Sequence, residues 1–215
     1  MRKLALALAA SAALLAAPAL SAAEIGDPLP SDEGGAVGNP LCAEQVFEQP
    51  FLDWNDQRSY TLVPNGSFEL GLEGWTVSDG VEVRPHANNL RPEPGTSALY
   101  MPPASAVTSP PVCVTPDYPV ARLYGKTVIP GRSAATLRVE VVYPPAEAGG
   151  TARRKRSGTL RRERTWDSTR KIALSPGQIA KAAGPDGTTM IRLRFTTRRG
   201  AGWLLDDVFV DPRAR

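Results

Sequence analysis

Two stretches alternate between apolar and polar residues, and this alternation commits much of the chain to β structure. In Thr136–Tyr143, Leu137, Val139, Val141 and Tyr143 alternate with Arg138 and Glu140. In Thr189–Thr197, Ile191, Leu193 and Phe195 alternate with Arg192, Arg194 and Thr196. Successive strand side chains point to opposite faces, so each stretch lays one face on a core and the other in water. Shorter extended runs cover Tyr60–Pro64, Trp75–Val83 (with a turn at Asp79-Gly80), Ser97–Met101, Val112–Thr115 and Ala121–Ile129. The last run, Trp203–Val210, is apolar on both sides except at Asp206 and Asp207. The chain's 21 Pro and 19 Gly fall between these runs as turn formers. One short helix is expected, with Ser175 as N-cap, Pro176 at the first helical position and Gly184 as the stop. About nine short strands at regular spacing predict an all-β chain, a β-sandwich or jelly roll with at most one short helix.

The first residues read as an address. Met1-Arg2-Lys3 is basic, Leu4–Leu20 is almost entirely Ala and Leu, and Ser21-Ala22-Ala23 supplies small residues at an exit. This is the pattern of a secretory signal peptide cleaved after Ala23. The rival is a retained anchor, which the small-residue exit disfavours. Residues 24–40 are rich in Gly, Pro and acids and read as a flexible leader, leaving 41–213 as one domain. The expected location is secreted, extracellular or cell-envelope associated, with no integral membrane segment after cleavage. Export suits the two cysteines: Cys42 and Cys113 form one disulfide in an oxidising compartment, against the alternative of two free thiols.

Charge is divided along the chain. Residues 24–120 hold 14 acidic and 3 basic residues, and residues 121–215 hold 8 acidic and 20 basic. Within one fold such halves attract. The densest basic segment contains Arg153, Arg154, Lys155, Arg156, Arg161, Arg162 and Arg164. It is either a patch for an anionic polymer or a solvated hairpin interrupted at Ser157-Gly158. A nucleic-acid partner is not expected, because aromatics do not interleave with the basic residues.

Asn65-Gly66-Ser67-Phe68-Glu69, followed by Gly71, Gly74 and Trp75, opens the domain, and Leu204-Leu205-Asp206-Asp207-Val208-Phe209-Val210 closes it. Together they resemble the galactose-binding-like jelly-roll superfamily, which includes carbohydrate-binding modules of secreted glycosidases. The segment Gln49-Pro50-Phe51-Leu52 with Trp54, followed by Tyr60–Gly66, looks closer still to a group of exported proteins of actinobacterial type. The resemblance implies a jelly roll that binds carbohydrate or a cell-envelope glycan. It also implies a structural calcium joining first and last strands, with Glu69 and Asp206 as the similar residues. Without calcium, those carboxylates would accept backbone hydrogen bonds or pair with Arg.

Catalysis is not expected. The single His, His86, lies in a polar loop, and no G-x-S-x-G, P-loop or dinucleotide motif occurs. With one His and two Cys, a Cys₄ or Cys₂His₂ zinc site is impossible. Trp75 and Trp203 belong to motif strands and read as core. Trp54 and Trp166 have polar neighbours and are the candidates for stacking on a sugar ring, or else a lid over the sandwich edge. Asn65-Gly66-Ser67 matches a glycosylation sequon but reads as turn chemistry. The function expected is a non-catalytic exported module for carbohydrate or cell-envelope glycan, with the calcium that the resemblance implies. The alternative is electrostatic attachment to anionic envelope polymers through 153–171.

Overall fold

The computed structural model describes residues 40–91, 95–128, 135–145, 149–161, 164–198 and 200–212. The signal segment 1–23, residues 24–39 of the leader and Arg162 lie outside them. After one helical turn, α1 (Pro40–Ala43), and a 3-10 turn at Leu52–Trp54 come β1 (Thr61–Leu62), β2 (Thr76–Val77), β3 (Glu82–Arg84) and β4 (Ala98–Met101). Then follow β5 (Ala106–Thr108), β6 (Val112–Val114), β7 (Val120–Thr127), β8 (Thr136–Tyr143), β9 (Arg153–Arg161), β10 (Asp167–Ser168) and β11 (Ile172–Ala173). The last elements are α2 (Pro176–Ala182), β12 (Thr189–Thr197) and β13 (Trp203–Asp211).

The strands form two antiparallel sheets, a jelly-roll β-sandwich as the alternation predicts. One sheet runs β10-β7-β13-β4-β3, with β1 on β13 and β11 on β7. The other runs β2-β5-β12-β8-β9, with β6 on β12. β8 and β12 pair in one continuous register from Leu137 opposite Thr197 to Val142 opposite Arg192. Their inward residues Leu137, Val139, Val141, Ile191, Leu193 and Phe195 are all buried. They meet Leu99, Leu123, Trp203, Leu205 and Val208 of the opposite sheet in one core. Trp75 and Trp203 lie in that core, as expected.

Three local expectations change. The turn at Asp79-Gly80 does not close a hairpin: β2 pairs β5 in one sheet and β3 pairs β4 in the other, so the turn crosses between layers. Gly80 takes φ 76° there, a left-handed conformation that suits Gly. The basic segment is not a hairpin either. Arg153–Arg161 is one strand at the edge of the six-stranded sheet, and Ser157-Gly158 coincides with a register shift opposite Val139 and Glu140. At the Asn65-Gly66 turn, the positive φ (50°) belongs to Asn65. Gly66 is needed for close approach, because a Cβ there would lie 2.8 Å from the Val63 carbonyl and 2.9 Å from that of Val208. The Asn65 side chain donates to the Gly71 and Glu73 carbonyls and accepts from the Leu70 amide, so it organises the corner, as turn chemistry implies.

The helix starts at Pro176, with Ser175 as N-cap as expected. Its hydroxyl makes no capping bond and instead accepts from Lys155 Nζ at 3.1 Å. The cysteines are joined: the Cys42–Cys113 disulfide ties α1 to β6.

Candidate functional site

The face of the seven-stranded sheet that points away from the core carries a second cluster. β7 turns Ala121 and Leu123 into the sandwich and Val120 and Tyr124 to this face. Phe51, Tyr60 and Phe209 complete the buried part, with Trp54 and Trp166 packed half-buried against it. Phe51 anchors the cluster, edge-on to Tyr60 (centroids 4.9 Å) and to Phe209 (5.6 Å). Trp54 packs edge-on to Tyr124 at 5.6 Å, and its indole N–H donates to Asp167 Oδ1 at 3.1 Å. The two Trp singled out in the sequence, 112 positions apart, therefore share one surface. Trp166 has two further neighbours, His86 (6.4 Å between rings) and Lys126, whose Nζ stands 5.2 Å from the ring centroid. Lys126 Nζ and His86 Nε2 are hydrogen-bonded at 2.6 Å. Burial lowers the Lys126 pKa.

Beside this cluster lies a buried polar network. Adjacent residues of a regular strand face opposite ways, so regular alternation would send only one of Asp206 and Asp207 inward. A register irregularity in β13 between Asp206 and Phe209 breaks the alternation, with Asp207 at φ 46°. Both carboxylates then reach the same Asn88 Nδ2, at 2.8 and 2.7 Å. Asp206 also accepts from the Asn88 and Asp207 amides. Arg91 spans Asp207 (2.9 Å) and Glu48 (2.8 Å).

Burial and the neighbouring Asp207 carboxylate push the Asp206 carboxyl up to about 7, against the three N–H donors it accepts. Such a group holds its proton more tightly in the folded chain than in the unfolded one. Its stabilising effect is complete below the unfolded value of about 4 and is lost as pH rises through about 7. Asp56 and Glu69 act in the opposite sense. Desolvation opposes their ionisation, but donors from Tyr60, Arg122 and Lys171, and from Thr96 and Ser97, hold both below the ordinary range. Their contribution is lost only in acid. Urea unfolding at pH 5 is therefore expected to need roughly 2–3 kcal/mol more than at pH 8. Asp206→Asn is expected to flatten that slope, and an unchanged slope in the variant would refute the assignment.

The resemblance implies that Glu69 shares a calcium ion with Asp206. Glu69 is exposed. Its oxygens accept from the Thr96 amide and hydroxyl, both at 2.8 Å, and from the Ser97 amide at 3.0 Å. Asp206 sits in the separate Asn88 network with three donors of its own. Calcium takes 6–8 oxygen ligands, and N–H and O–H donors are turned to both carboxylates instead. Among the described residues no group of three or more His, Cys, Asp or Glu could hold a metal. The residues present do not fit a calcium cage at Glu69 and Asp206.

The basic residues Arg153, Arg154, Lys155, Arg156, Arg161 and Arg164 are exposed, all but Arg164 on β9. Sequence reasoning missed the buried cluster around Asp56, where Arg122 Nη1 (2.8 Å), Lys171 Nζ (3.1 Å) and Tyr60 Oη (2.7 Å) converge. An Arg on a strand otherwise apolar, Arg122 between Ala121 and Leu123, was the signal that could have pointed to it. Asn88 carried no signal at all.

No family model matches the chain, and no curated protein matches it. Solved structures do. The CBM22-1–GH10 modules of Clostridium thermocellum endo-1,4-beta-D-xylanase 10B, complexed with xylohexaose, give a TM-score of 0.50 at 16% identity. That match covers 69% of this chain and 28% of the other. The likeness is one of fold. A family 16 carbohydrate-binding module is similar at TM-score 0.44 and 18% identity, over 70% of this chain and 99% of that one. The CBM22-1 xylan-binding domain from Paenibacillus barcinonensis Xyn10C gives 0.45 and 18%, over 70% and 94%.

Proposed function

We propose that the protein is an exported, non-catalytic module that binds carbohydrate on the Trp54–Trp166 face of the seven-stranded sheet. The observation that carries this reading is the convergence of two half-buried indoles on one surface beside polar groups. Packing fixes the rings, so little ordering entropy is lost on contact, and Asp167, His86 and Lys126 stand within reach of sugar hydroxyls. The fold supports it, since the xylanase structure of similar fold contains a carbohydrate-binding module and xylohexaose. The signal-like start of the chain supports export.

A second reading is attachment to anionic envelope polymers, favoured by the exposed run Arg153–Arg156 on an edge strand. Binding of the full chain to neutral and anionic polysaccharides at low and moderate salt separates the two. The carbohydrate reading expects a neutral glycan to bind at both salts, with affinity falling about 30-fold in Trp166→Ala and in Trp54→Ala. Unchanged affinity in both variants would overturn it. The second reading expects only anionic polymers to bind, with the complex lost at moderate salt.

A further inference from the structure

We propose that the six-stranded sheet carries a discrete oxyanion site, formed by Arg156, Arg161, Arg170 and Arg198, that takes a sulfate or phosphate ester of a polysaccharide. The inference deepens the second reading and rests on it for the polymer. It also changes the residues involved, since Arg198 lies outside the basic segment and comes from the end of β12.

Strand pairing brings these side chains together. Arg161 stands opposite Thr136 in the β8–β9 ladder. Just beyond β12, the Arg198 amide donates to the Thr136 carbonyl at 3.3 Å. Arg170 Nη2 donates to the Thr159 carbonyl at 3.1 Å, and Arg156 Nη2 donates to the Thr159 hydroxyl. All four arginines line one open depression of about 590 Å³, together with Thr136 and Thr159.

The charge balance there differs from that at several other arginines. Arg58, Arg84, Arg91, Arg122 and Arg194 each meet a carboxylate. Among the described residues, none of the four basin arginines does, and no carboxylate lines the depression. Glu140, cross-strand from Arg156, lies 4.0 Å from Arg194. Four like charges around one depression repel one another, and a bound oxyanion converts that repulsion into attraction. Guanidinium forks match phosphate and sulfate geometry. A tetrahedral ester has three terminal oxygens for several forks, where a carboxylate has two. The depression is open, so an ester still attached to its chain can enter. Arg153 and Arg154 continue the positive field along β9.

The test uses the full, oxidised chain and inorganic phosphate and sulfate as probes, by calorimetry at low ionic strength. Two exposed-site variants, Arg170→Ser and Arg198→Ser, are compared with Arg153→Ser/Arg154→Ser, which leaves the basin intact. Saturable binding that weakens about 10-fold or more in Arg170→Ser and Arg198→Ser, and stays within about 2-fold in the double variant, is the expected result. Absence of saturable binding, or equal affinity in all proteins, would overturn the site. Dextran sulfate and a phosphate-substituted dextran form the polymer arms, and the tighter of them identifies the ester. If the ions bind in the basin but neither polymer does, the polymer reading fails and the oxyanion site stands. If polymers bind equally to parent and Arg198→Ser but not to Arg153→Ser/Arg154→Ser, the edge strand is the polymer surface and the basin is refuted as the site of the polymer's ester.

Discussion

Asp56→Ala is expected to destabilise the fold by about 3–5 kcal/mol, the range for stripping one partner from a buried ion pair. Asp56 is 2% exposed and Arg122 5% exposed. Arg122 is held in place from several sides. Its Nε donates to the Thr169 carbonyl, its Nη2 to Ser168 Oγ, and its plane lies 4.2 Å from the centre of the Phe51 ring. It cannot swing out to water without breaking those contacts. Removing the carboxylate leaves a buried cation uncompensated and takes the acceptor from the Tyr60 hydroxyl. Arg58→Ala is the contrast. That side chain is one-third exposed, so water replaces part of what its buried partner Asp211 loses, and a smaller cost of about 1–2 kcal/mol is expected. Urea unfolding measures both. A cost below about 1 kcal/mol for Asp56→Ala would show that the cluster is not holding the aromatic face to the sheet.

Reducing the Cys42–Cys113 disulfide is expected to cost about 4 kcal/mol in the chain-entropy model, because the bridge closes a loop across a separation of 71 residues. For a chain of this size that corresponds to a fall in Tm of about 10 °C. The bridge also fixes what precedes the sandwich. It pins α1 to β6, a three-residue strand with little pairing of its own, and Gln45 Nε2 adds a bond to the Cys113 carbonyl at 3.0 Å. Reduction is a cleaner probe than substitution, since Cys113 is buried and a Ser there would carry its own penalty. Calorimetry with and without a reductant gives the answer, and an unchanged Tm would show that the bridge does not stabilise the fold.

The charge division between the two halves of the sequence finds its physical use in these contacts. Asp56 comes from the acidic half, and Arg122 and Lys171 come from the basic half. Arg91 and Arg58, two of the three basic residues in the acidic half, reach Asp207 and Asp211 at the far end of the chain. These four ion pairs join the two halves, while Arg84–Glu82, Arg91–Glu48 and Arg194–Glu140 lie within one half.

Features that depend on local period are legible in the residues alone. Alternation at Leu137–Tyr143 and Ile191–Phe195 required strands with one apolar face, and β8 and β12 form there with those faces inward. Ser175-Pro176 marked the helix start, and two cysteines left one disulfide to form. Trp54 and Trp166 could be named from their polar neighbours, but their common surface could not, because only the fold of Phe51–Trp54 onto β7 and β10 brings them together. The same limit explains the rest. A period of two says which way a side chain points, but not which strand will stand beside it. The crossing at Asp79-Gly80, the broken alternation at Asp206-Asp207 and the basin from Arg156 to Arg198 all depend on pairings between distant segments. Those pairings are chosen by the burial of both sheets at once, which no local pattern encodes.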